Sequence, residues 1–252
     1  MTKAEPAPRL PSLRAGFDYQ LGGAYPPPPG VATVERDRTA APAGAGYDIC
    51  YVNGFQTQPD ESASFAADHP DLVVRDGGEP VTDPGWPDEY LFDTSTETHR
   101  TALAAIVGPW IAGCASAGYD AVEFDNLDSF TRAPGALTAE DNIALATVYA
   151  ELAHQAGLAV AQKNTVEHAG ALRAAGYDFA IAESCAHYGE CSGYTAHYPV
   201  VLDIEYSDEL GATGFATACT SPDRAPVMIL RDLDLLTPAD PGYVYRDCSH
   251  LG

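Results

Sequence analysis

Four carboxylates lie close together in the stretch "GYDAVEFDNLDSF" (residues 118–130): Asp120, Glu123, Asp125 and Asp128. The segment "AVEFD" within it is typical of a buried strand. Successive side chains of a strand point to opposite faces, so Glu123 and Asp125 share a face, with Glu123 one layer below Asp125. Two carboxylates that close repel each other, so a cation must neutralise them or one must hold a proton. Such a pair can supply a general acid, a general base or a nucleophile.

The motif "GYD" occurs three times, in "GAGYDICYVN", "SAGYDAVEFD" and "AAGYDFAIAE". Five residues after the Asp of each motif lie Asn53, Asp125 and Glu183. Each motif leads into an apolar run that is typical of a strand, so these polar side chains are predicted at the carboxyl ends of three strands. In barrels of parallel strands, that edge carries the active site.

Lys163 is the candidate cation for this edge. It is the only lysine besides Lys3, and it ends the predicted strand next to that of Asp125. We expect its ammonium group to neutralise Glu123 and Asp125. Two alternatives remain: a strand-end lysine can extend its amine into solvent, and a buried lysine can form a Schiff base. Acidic surroundings oppose the second, because they keep the amine charged.

The elements that must position these residues follow an α/β pattern. Two alanine-rich helical stretches end at a glycine that precedes a strand, as expected for a left-handed residue after a helix. The segment 138–163 repeats this order, with Thr138 as the N-cap and Gly157 at the helix end. Eight strands are predicted, at Phe17–Leu21, Asp48–Asn53, Tyr90–Asp93, Ala121–Asp125, Ala159–Lys163, Phe179–Glu183, Val200–Glu205 and Val227–Arg231.

Eight strands with helical stretches between most of them, in 252 residues, predict a (β/α)8 TIM barrel of the α/β class. An open, doubly wound sheet is the alternative. We expect a single catalytic domain at residues 16–252 behind a flexible N-terminal tail at residues 1–15. The least regular segment is 56–89, in which only a short helix at 62–67 is predicted.

The composition is strongly acidic, since 13 basic residues against 36 acidic ones give a formal net charge of −23. Such a charge repels nucleic acid and anionic membranes, and it attracts a cationic partner. We therefore expect neither nucleic acid nor membrane as a partner. The solubility of a secreted protein and a salty habitat are simpler explanations of the same charge, and the sequence does not choose among the three.

The six cysteines include no CxxC pair and no Cys/His cluster at zinc spacing, so they indicate disulfides and an oxidising compartment. Sequence alone does not choose among the possible connectivities; we favour Cys50–Cys114, Cys185–Cys191 and Cys219–Cys248. The N-terminal segment lacks the apolar core of a signal peptide, and no apolar run of about 18 residues occurs. We expect a secreted, mature and monomeric chain.

Acids and aromatic rings recur at the other predicted strand ends. Acids accept hydrogen bonds from hydroxyl and ammonium groups, and rings stack on sugar faces, so the combination is typical of a sugar-binding cleft. Any single one of these acids is more often a loop cap than a ligand. The predicted substrate-binding residues are Asp18, Tyr51, Asp93, Asn126, Asp128, Lys163, Tyr188 and Glu205.

Four motifs closely resemble glycoside hydrolase family 114, the endo-α-1,4-polygalactosaminidases: "GYDAVEFDNLDSF", "KN" (163–164), "ESCAHYGEC" (183–191) and "VLDIEY" (201–206). The resemblance implies a secreted (β/α)8 barrel that cleaves polymers of α-1,4-linked galactosamine or N-acetylgalactosamine. It also implies that Asp125 and Glu183 are the catalytic acids, in agreement with the spacing of the GYD motifs.

We predict Asp125 as the nucleophile or charge stabiliser, because Lys163 and the amide of Asn126 can keep it ionised. Glu183 has small apolar neighbours, and desolvation raises a carboxylic pKa, so it is predicted as the general acid. Exchanged roles are the alternative. A 2-ammonium group on the sugar would meet acids at the rim.

Two other functions remain open. A barrel that binds amino sugars without cutting them would keep the acidic and aromatic rim but lose one carboxylate of the pair, and both are present. A metal-dependent hydrolase would need histidines at strand ends, but the histidines are predicted in helices or loops. We therefore expect an enzyme that uses neither a metal nor an organic cofactor.

Overall fold

The computed structural model describes residues 8–248, in which a barrel-shaped sheet forms the centre of the molecule. The strands are β1 (Gly16–Tyr19), β2 (Val31–Asp37), β3 (Tyr47–Asn53), β4 (Arg75–Asp76), β5 (Glu79–Pro80), β6 (Ala121–Asp125), β7 (Ala159–Lys163), β8 (Phe179–Glu183), β9 (Val201–Tyr206), β10 (Val227–Arg231) and β11 (Tyr245–Asp247). β4 and β5 pair with each other, and the others form a nine-stranded sheet in the order β1-β2-β3-β6-β7-β8-β9-β10-β11. Its neighbouring strands are parallel, except that β11 is antiparallel to β10.

Helices cover the outside of this sheet. They are α1 (Ser62–Asp68), α2 (Glu97–Ala117), α3 (Ala139–Gln155), α4 (Ala169–Ala174), α5 (Cys185–Tyr188), α6 (Cys191–Thr195) and α7 (Gly211–Ala218). α3 begins as predicted, because Thr138 and Asp141 form a capping box in which each side chain accepts a hydrogen bond from the other residue's backbone N–H. Within residues 8–248, the helices are all too short or too polar to cross a membrane.

Alternation along the strands separates two apolar layers. On β8, Phe179 and Ile181 point into the barrel, whereas Ala180 and Ala182 pack against the helices outside it. All four side chains are fully buried. Glu183 continues the inward set, so β8 presents this carboxylate at the mouth of the barrel.

Seven of the eight predicted strands are confirmed, with bounds that shift by up to two residues. The strand predicted at Tyr90–Asp93 is wrong. This segment makes only isolated bridges, to Thr82, Gln56 and Val73. Its apolar residues are buried, but its backbone pairs with other parts of the long connection between β3 and α2.

The remaining parallel strand is β2, which has no counterpart among the predicted strands. Its sequence, "VATVERD", is rich in β-branched residues and is typical of a strand. It follows the proline-rich turn at 24–30, and no helix precedes it. The helix–strand pattern that predicts the other strands is therefore absent here. The three-residue β11 is too short for a periodic pattern.

Arg231 closes the seam between the last parallel strand, β10, and the first, β1. Its guanidinium group is fully buried and donates to the carbonyl oxygens of Tyr19 on β1 and Val244 before β11. It also lies 3.3 Å from the carboxylate of Asp18 on β1. A buried ion pair therefore joins the two ends of the barrel.

Three disulfides form, with the pairing favoured from the sequence. Cys50–Cys114 joins β3 to α2, Cys185–Cys191 joins α5 to α6, and Cys219–Cys248 joins the end of α7 to the residue after β11. The first two pack within the outer apolar layer.

Part of the predicted N-terminal tail contacts the bottom of the barrel. The Arg9 guanidinium forms an ion pair with Asp120 and lies over the ring of Tyr47, whose hydroxyl donates to the carbonyl oxygen of Arg9. Residues 1–7 of that tail lie outside the described residues.

Candidate active site

A cleft opens at the carboxyl ends of the barrel strands, with a volume of about 840 Å³. Its lining is rich in acids and poor in cations, so its potential is negative and attracts cationic ligands. The acids that line it are Asp37, Asp60, Glu61, Asp83, Glu89, Asp125, Asp128, Glu183 and Asp234, and the arginines are Arg38 and Arg132.

Lys163, at the end of β7, lies under the floor of this cleft. Its Nζ is 3.4 Å from Asp125 Oδ2, 3.4 Å from Glu183 Oε2 and 3.5 Å from Glu123 Oε1. It also donates a hydrogen bond to the Tyr19 hydroxyl. The prediction that Lys163 neutralises Glu123 and Asp125 is confirmed, and Glu183 is a third partner.

The two alternative roles for Lys163 do not fit these contacts. Its side chain is 1% exposed, so the amine does not extend into solvent. Burial alone lowers the pKa of an amine, but Asp125, Glu123 and Glu183 oppose it and raise the pKa of Lys163 well above its usual value. The amine stays charged, which excludes a nucleophile for a Schiff base.

Asp125 is held by donors from three strands or their ends. Its Oδ1 accepts from the backbone N–H of Asn126, and its Oδ2 accepts from the Tyr51 hydroxyl at 2.8 Å. Lys163 contacts the same Oδ2. All of these contacts stabilise the ionised carboxylate.

Glu183 is fixed by the residue that follows Lys163. The Asn164 amide donates to Glu183 Oε2 at 2.9 Å, and its carbonyl oxygen accepts from the backbone N–H of Glu183 at 2.8 Å. The Tyr206 hydroxyl on β9 donates to Oε1. Both contacts set the direction of the carboxyl group, which faces Asp125 across the ammonium of Lys163.

Residues just after three strand ends adopt a left-handed backbone: Asn126 with φ of 63°, Asn164 with φ of 47° and Ser184 with φ of 58°. Such angles are uncommon for residues other than glycine, and strained backbone concentrates at functional sites. The turns after β6, β7 and β8 direct their polar groups to one place. Asn126, for example, donates to the side chain of Asn53, which pairs with Asp125 in the sheet.

Three of the predicted substrate-binding residues line the cleft together with the acid pair: Tyr51, Asn126 and Asp128. The sequence did not single out Arg132, which holds Asn126 and Asp128 in place. Its guanidinium donates to Asp128 Oδ1 and Asn126 Oδ1, and it lies 2.8 Å from Asp83. Arg132 follows Asp128 by four residues, which was its one sequence signal.

Asp18 and Glu205, also predicted to bind substrate, do not line the cleft. Asp18 is fully buried and forms the ion pair with Arg231 that closes the barrel. Glu205 faces the outside of β9, where it accepts from the backbone N–H of Ala186 at 2.7 Å. It therefore holds α5, which begins two residues after Glu183.

Asp93 and Tyr188 lie outside the cleft as well. Asp93 accepts from the backbone N–H of Ser95 and lies 3.2 Å from His99, so it supports the start of α2. Tyr188 is largely exposed on α5, and its hydroxyl contacts Glu209. Trp86, from the irregular 56–89 segment, lines the cleft together with Tyr51, although neither periodicity nor a motif predicted it.

The histidines within residues 8–248 lie in helices and loops, as predicted; His250 lies outside these residues. The cluster of described residues with metal-ligand spacing comprises Cys185, Cys191 and Asp203. Its two sulfurs form a disulfide with each other, so they are not free to bind an ion.

A (β/α)8 barrel with two carboxylates facing each other across a cleft is the architecture of a glycoside hydrolase. The family model of glycoside-hydrolase family GH114 matches residues 1–251, and the chain belongs to this family. A comparison with curated proteins found no match.

Solved structures share the fold. Aspergillus fumigatus Ega3, in complex with galactosamine, is 19% identical with a TM-score of 0.71, over 92% of this chain and 97% of that one. The glycoside hydrolase domain of PelA from Pseudomonas aeruginosa is 17% identical with a TM-score of 0.58, over 91% and 97%. A maltogenic α-amylase, AmyB from Thermotoga neapolitana, is 14% identical with a TM-score of 0.56, over 91% and 73%.

Proposed function

We propose that this glycoside hydrolase cleaves polymers of α-1,4-linked galactosamine or N-acetylgalactosamine, with Asp125 and Glu183 as its catalytic pair. The contact of both carboxylates with the Lys163 ammonium, at the floor of an acidic cleft, carries the proposal. Family membership supports the reaction class, and the structural relative Ega3 was solved with galactosamine. A barrel that only binds amino sugars would not need such a pair.

Asp125 is assigned the nucleophilic role, because Tyr51, Asn126 and Lys163 all stabilise its anion. Glu183 is assigned the acid role, because its side chain is 28% exposed against 19% for Asp125 and so reaches the leaving oxygen more readily. Glu183 gives its proton to the glycosidic oxygen while Asp125 attacks the anomeric carbon, and the bond between that carbon and oxygen breaks. Water activated by Glu183 then releases the sugar from Asp125.

We expect the reaction to retain the anomeric configuration. Asp125 Oδ2 and Glu183 Oε2 each lie 3.4 Å from one nitrogen atom, so they are at most twice that distance apart. The carboxyl groups are about 5–5.5 Å apart in retaining enzymes and about 6.5–9.5 Å apart in inverting ones, and the upper limit here only reaches the start of the second range. NMR spectra taken early in the hydrolysis of an α-linked oligomer should show the α-anomer first; a β-anomer would contradict retention.

We expect a partially deacetylated polymer to be cut faster than a fully acetylated one at low salt, because its ammonium groups are attracted to the cleft acids. The release of new reducing ends measures both rates. At about 0.5 M salt the difference should shrink, since screening shortens the range of charge interactions.

Two exposed acids give a matched test of the location of this attraction. Asp60 lines the cleft and Asp76 does not. Asp60→Asn should narrow the preference for the deacetylated polymer, and Asp76→Asn should leave it unchanged. A faster rate on the fully acetylated polymer at low salt would contradict the cationic substrate, while hydrolysis of either polymer would still support the reaction.

We also propose that the protein acts outside the cell. Its three disulfides require an oxidising compartment to form and persist. A polymer substrate that cannot enter a cell is consistent with this location. Detection of the protein in the culture medium of its source, with its thiols oxidised, tests the proposal.

A further inference from the structure

Two glutamates lie in the barrel interior below Lys163, and the reaction described above gives them no role. Glu35 on β2 and Glu123 on β6 are both 0% exposed. Neither carboxyl group accepts a hydrogen bond from an N–H or O–H group of the described residues. The two groups lie within hydrogen-bonding reach of each other, and Glu123 Oε1 is 3.5 Å from Lys163 Nζ.

The two carboxyl groups cannot both be ionised in this buried environment. They are adjacent, they are shielded from water, and the one cation within residues 8–248 that touches either of them is shared with Asp125 and Glu183. A proton held between them removes the repulsion and supplies the missing hydrogen bond. Glu35 is the donor, because Glu123 has the ammonium beside it and Glu35 has no cation at ion-pair distance among the described residues.

We propose that Glu35 and Glu123 are a proton-sharing pair of positioning residues, in which protonated Glu35 donates to Glu123 and the Glu123 anion offsets the charge of Lys163. This inference rests on the proposed function of Asp125 and Glu183. It extends that function to a layer of the barrel that the substrate does not reach.

The pair serves the reaction through Glu183. An ammonium at 3.4 Å stabilises the ionised form of Glu183, which opposes its role as the acid. A negative charge on Glu123, 3.5 Å from the same nitrogen, offsets part of this effect. Lys163 therefore holds the Glu183 carboxyl group less strongly, while Tyr51 and the N–H of Asn126 hold Asp125 through contacts that do not involve Glu123.

The charge of the pair depends on pH. Burial raises the pKa of Glu123 to about 7, although the Lys163 ammonium opposes the rise. Burial and the neighbouring Glu123 raise the pKa of Glu35 well above its usual value. Glu35 therefore keeps its proton well above the usual pH range of a carboxyl group, while the charge of Glu123 changes near neutral pH. The titratable groups that face Glu123 are Tyr19 from β1, Glu35 from β2, Tyr51 from β3, Asp125 from β6, Lys163 from β7 and Glu183 from β8.

The pH profile of kcat tests this role. Glu123→Gln removes the offsetting charge, so the alkaline limb should move to lower pH by about one unit, with KM changed less than about twofold. Glu35→Leu removes the donor, leaves Glu123 neutral and should move the limb in the same direction. In Glu35→Gln the amide still donates a hydrogen bond to Glu123, so the alkaline limb of its kcat profile should coincide with that of the wild type.

The proposal is overturned if Glu123→Gln folds and loses activity with no movement of the limb, because the pair would then be structural only. It is also overturned if Glu35→Gln and Glu35→Leu move the limb equally. If Glu35→Leu does not fold, the proposal is still tested by comparing the alkaline limbs of Glu123→Gln and Glu35→Gln.

An infrared difference spectrum gives a readout that does not depend on activity. The spectrum of wild type minus Glu35→Gln at pH 8 should show the C=O band of a protonated carboxyl group. Absence of this band would overturn the shared proton. A protein that shows the band but cuts no galactosamine polymer would instead refute the proposed substrate, so the two failures are distinguishable.

Discussion

Asp125→Asn is expected to lower kcat on the galactosamine polymer by about 10⁴-fold, the scale seen when one member of a catalytic unit is removed. The amide has nearly the same shape as the carboxylate, but it neither attacks the anomeric carbon nor carries the charge that Lys163 neutralises. Release of reducing ends measures the loss. Unfolding temperature and circular dichroism should show that the fold is kept.

Glu183→Gln is the partner variant that separates the two roles. A substrate with an acidic phenol as its leaving group needs no proton at the glycosidic oxygen. Glu183→Gln should therefore recover much of its bond-cleavage step on such a substrate, seen as a burst of released phenol, whereas Asp125→Asn should not. Recovery by Asp125→Asn alone would mean that the roles are exchanged.

Lys163→Met is expected to destabilise the fold by about 3–5 kcal/mol at neutral pH, because it leaves three carboxylates around a buried site without their cation. Methionine has a similar length and no charge, so the loss is not a cavity effect. Activity should fall with it, since Asp125 and Glu183 then lose the contact that they share. Urea unfolding followed by fluorescence measures the change in the free energy of unfolding.

The pH dependence of this loss has a defined sign. Burial raises the pKa of Glu123 in the folded state and Lys163 opposes this rise, so without the lysine Glu123 is more often neutral in the folded state than in the unfolded chain. Such groups favour unfolding as the pH rises, so Lys163→Met should be closer to wild type at pH 5 than at pH 8. Arg14→Met, which removes an exposed cation at the other end of the barrel, is the control and should change stability by less than about 0.5 kcal/mol. An equal effect of both variants would contradict the role of Lys163 as a buried counter-ion.

The central part of the site could be predicted because its information is local in the sequence. Strand alternation places Glu123 one layer below Asp125. The repeated GYD motif places both Asp125 and Glu183 at the carboxyl ends of their strands. The scarcity of lysine then leaves Lys163 as the cation. None of these steps requires knowledge of which strands meet across the barrel.

The remaining residues depend on partners that are distant in the sequence. Asp18 stands near a strand end like Asp125, but its carboxylate pairs with Arg231, 213 residues away, and so it serves barrel closure. Trp86 and Arg132 reach the cleft from irregular connections, whose paths are set by packing and not by periodicity. Glu35 was missed together with β2, because no helix precedes that strand.

The seam at Arg231 also determines when the barrel can close during synthesis. Asp18 leaves the ribosome long before its partner, and at about 5–20 residues per second the intervening chain takes roughly 10 to 40 seconds to appear. Throughout that time one edge of β1 has no neighbouring strand. The unpaired backbone groups of an exposed edge can form hydrogen bonds with another chain. β1 is only four residues long and carries the unneutralised charge of Asp18 until Arg231 arrives. Asp18 therefore has a second role before Arg231 is synthesised, because its charge on the exposed edge of β1 opposes pairing with other chains.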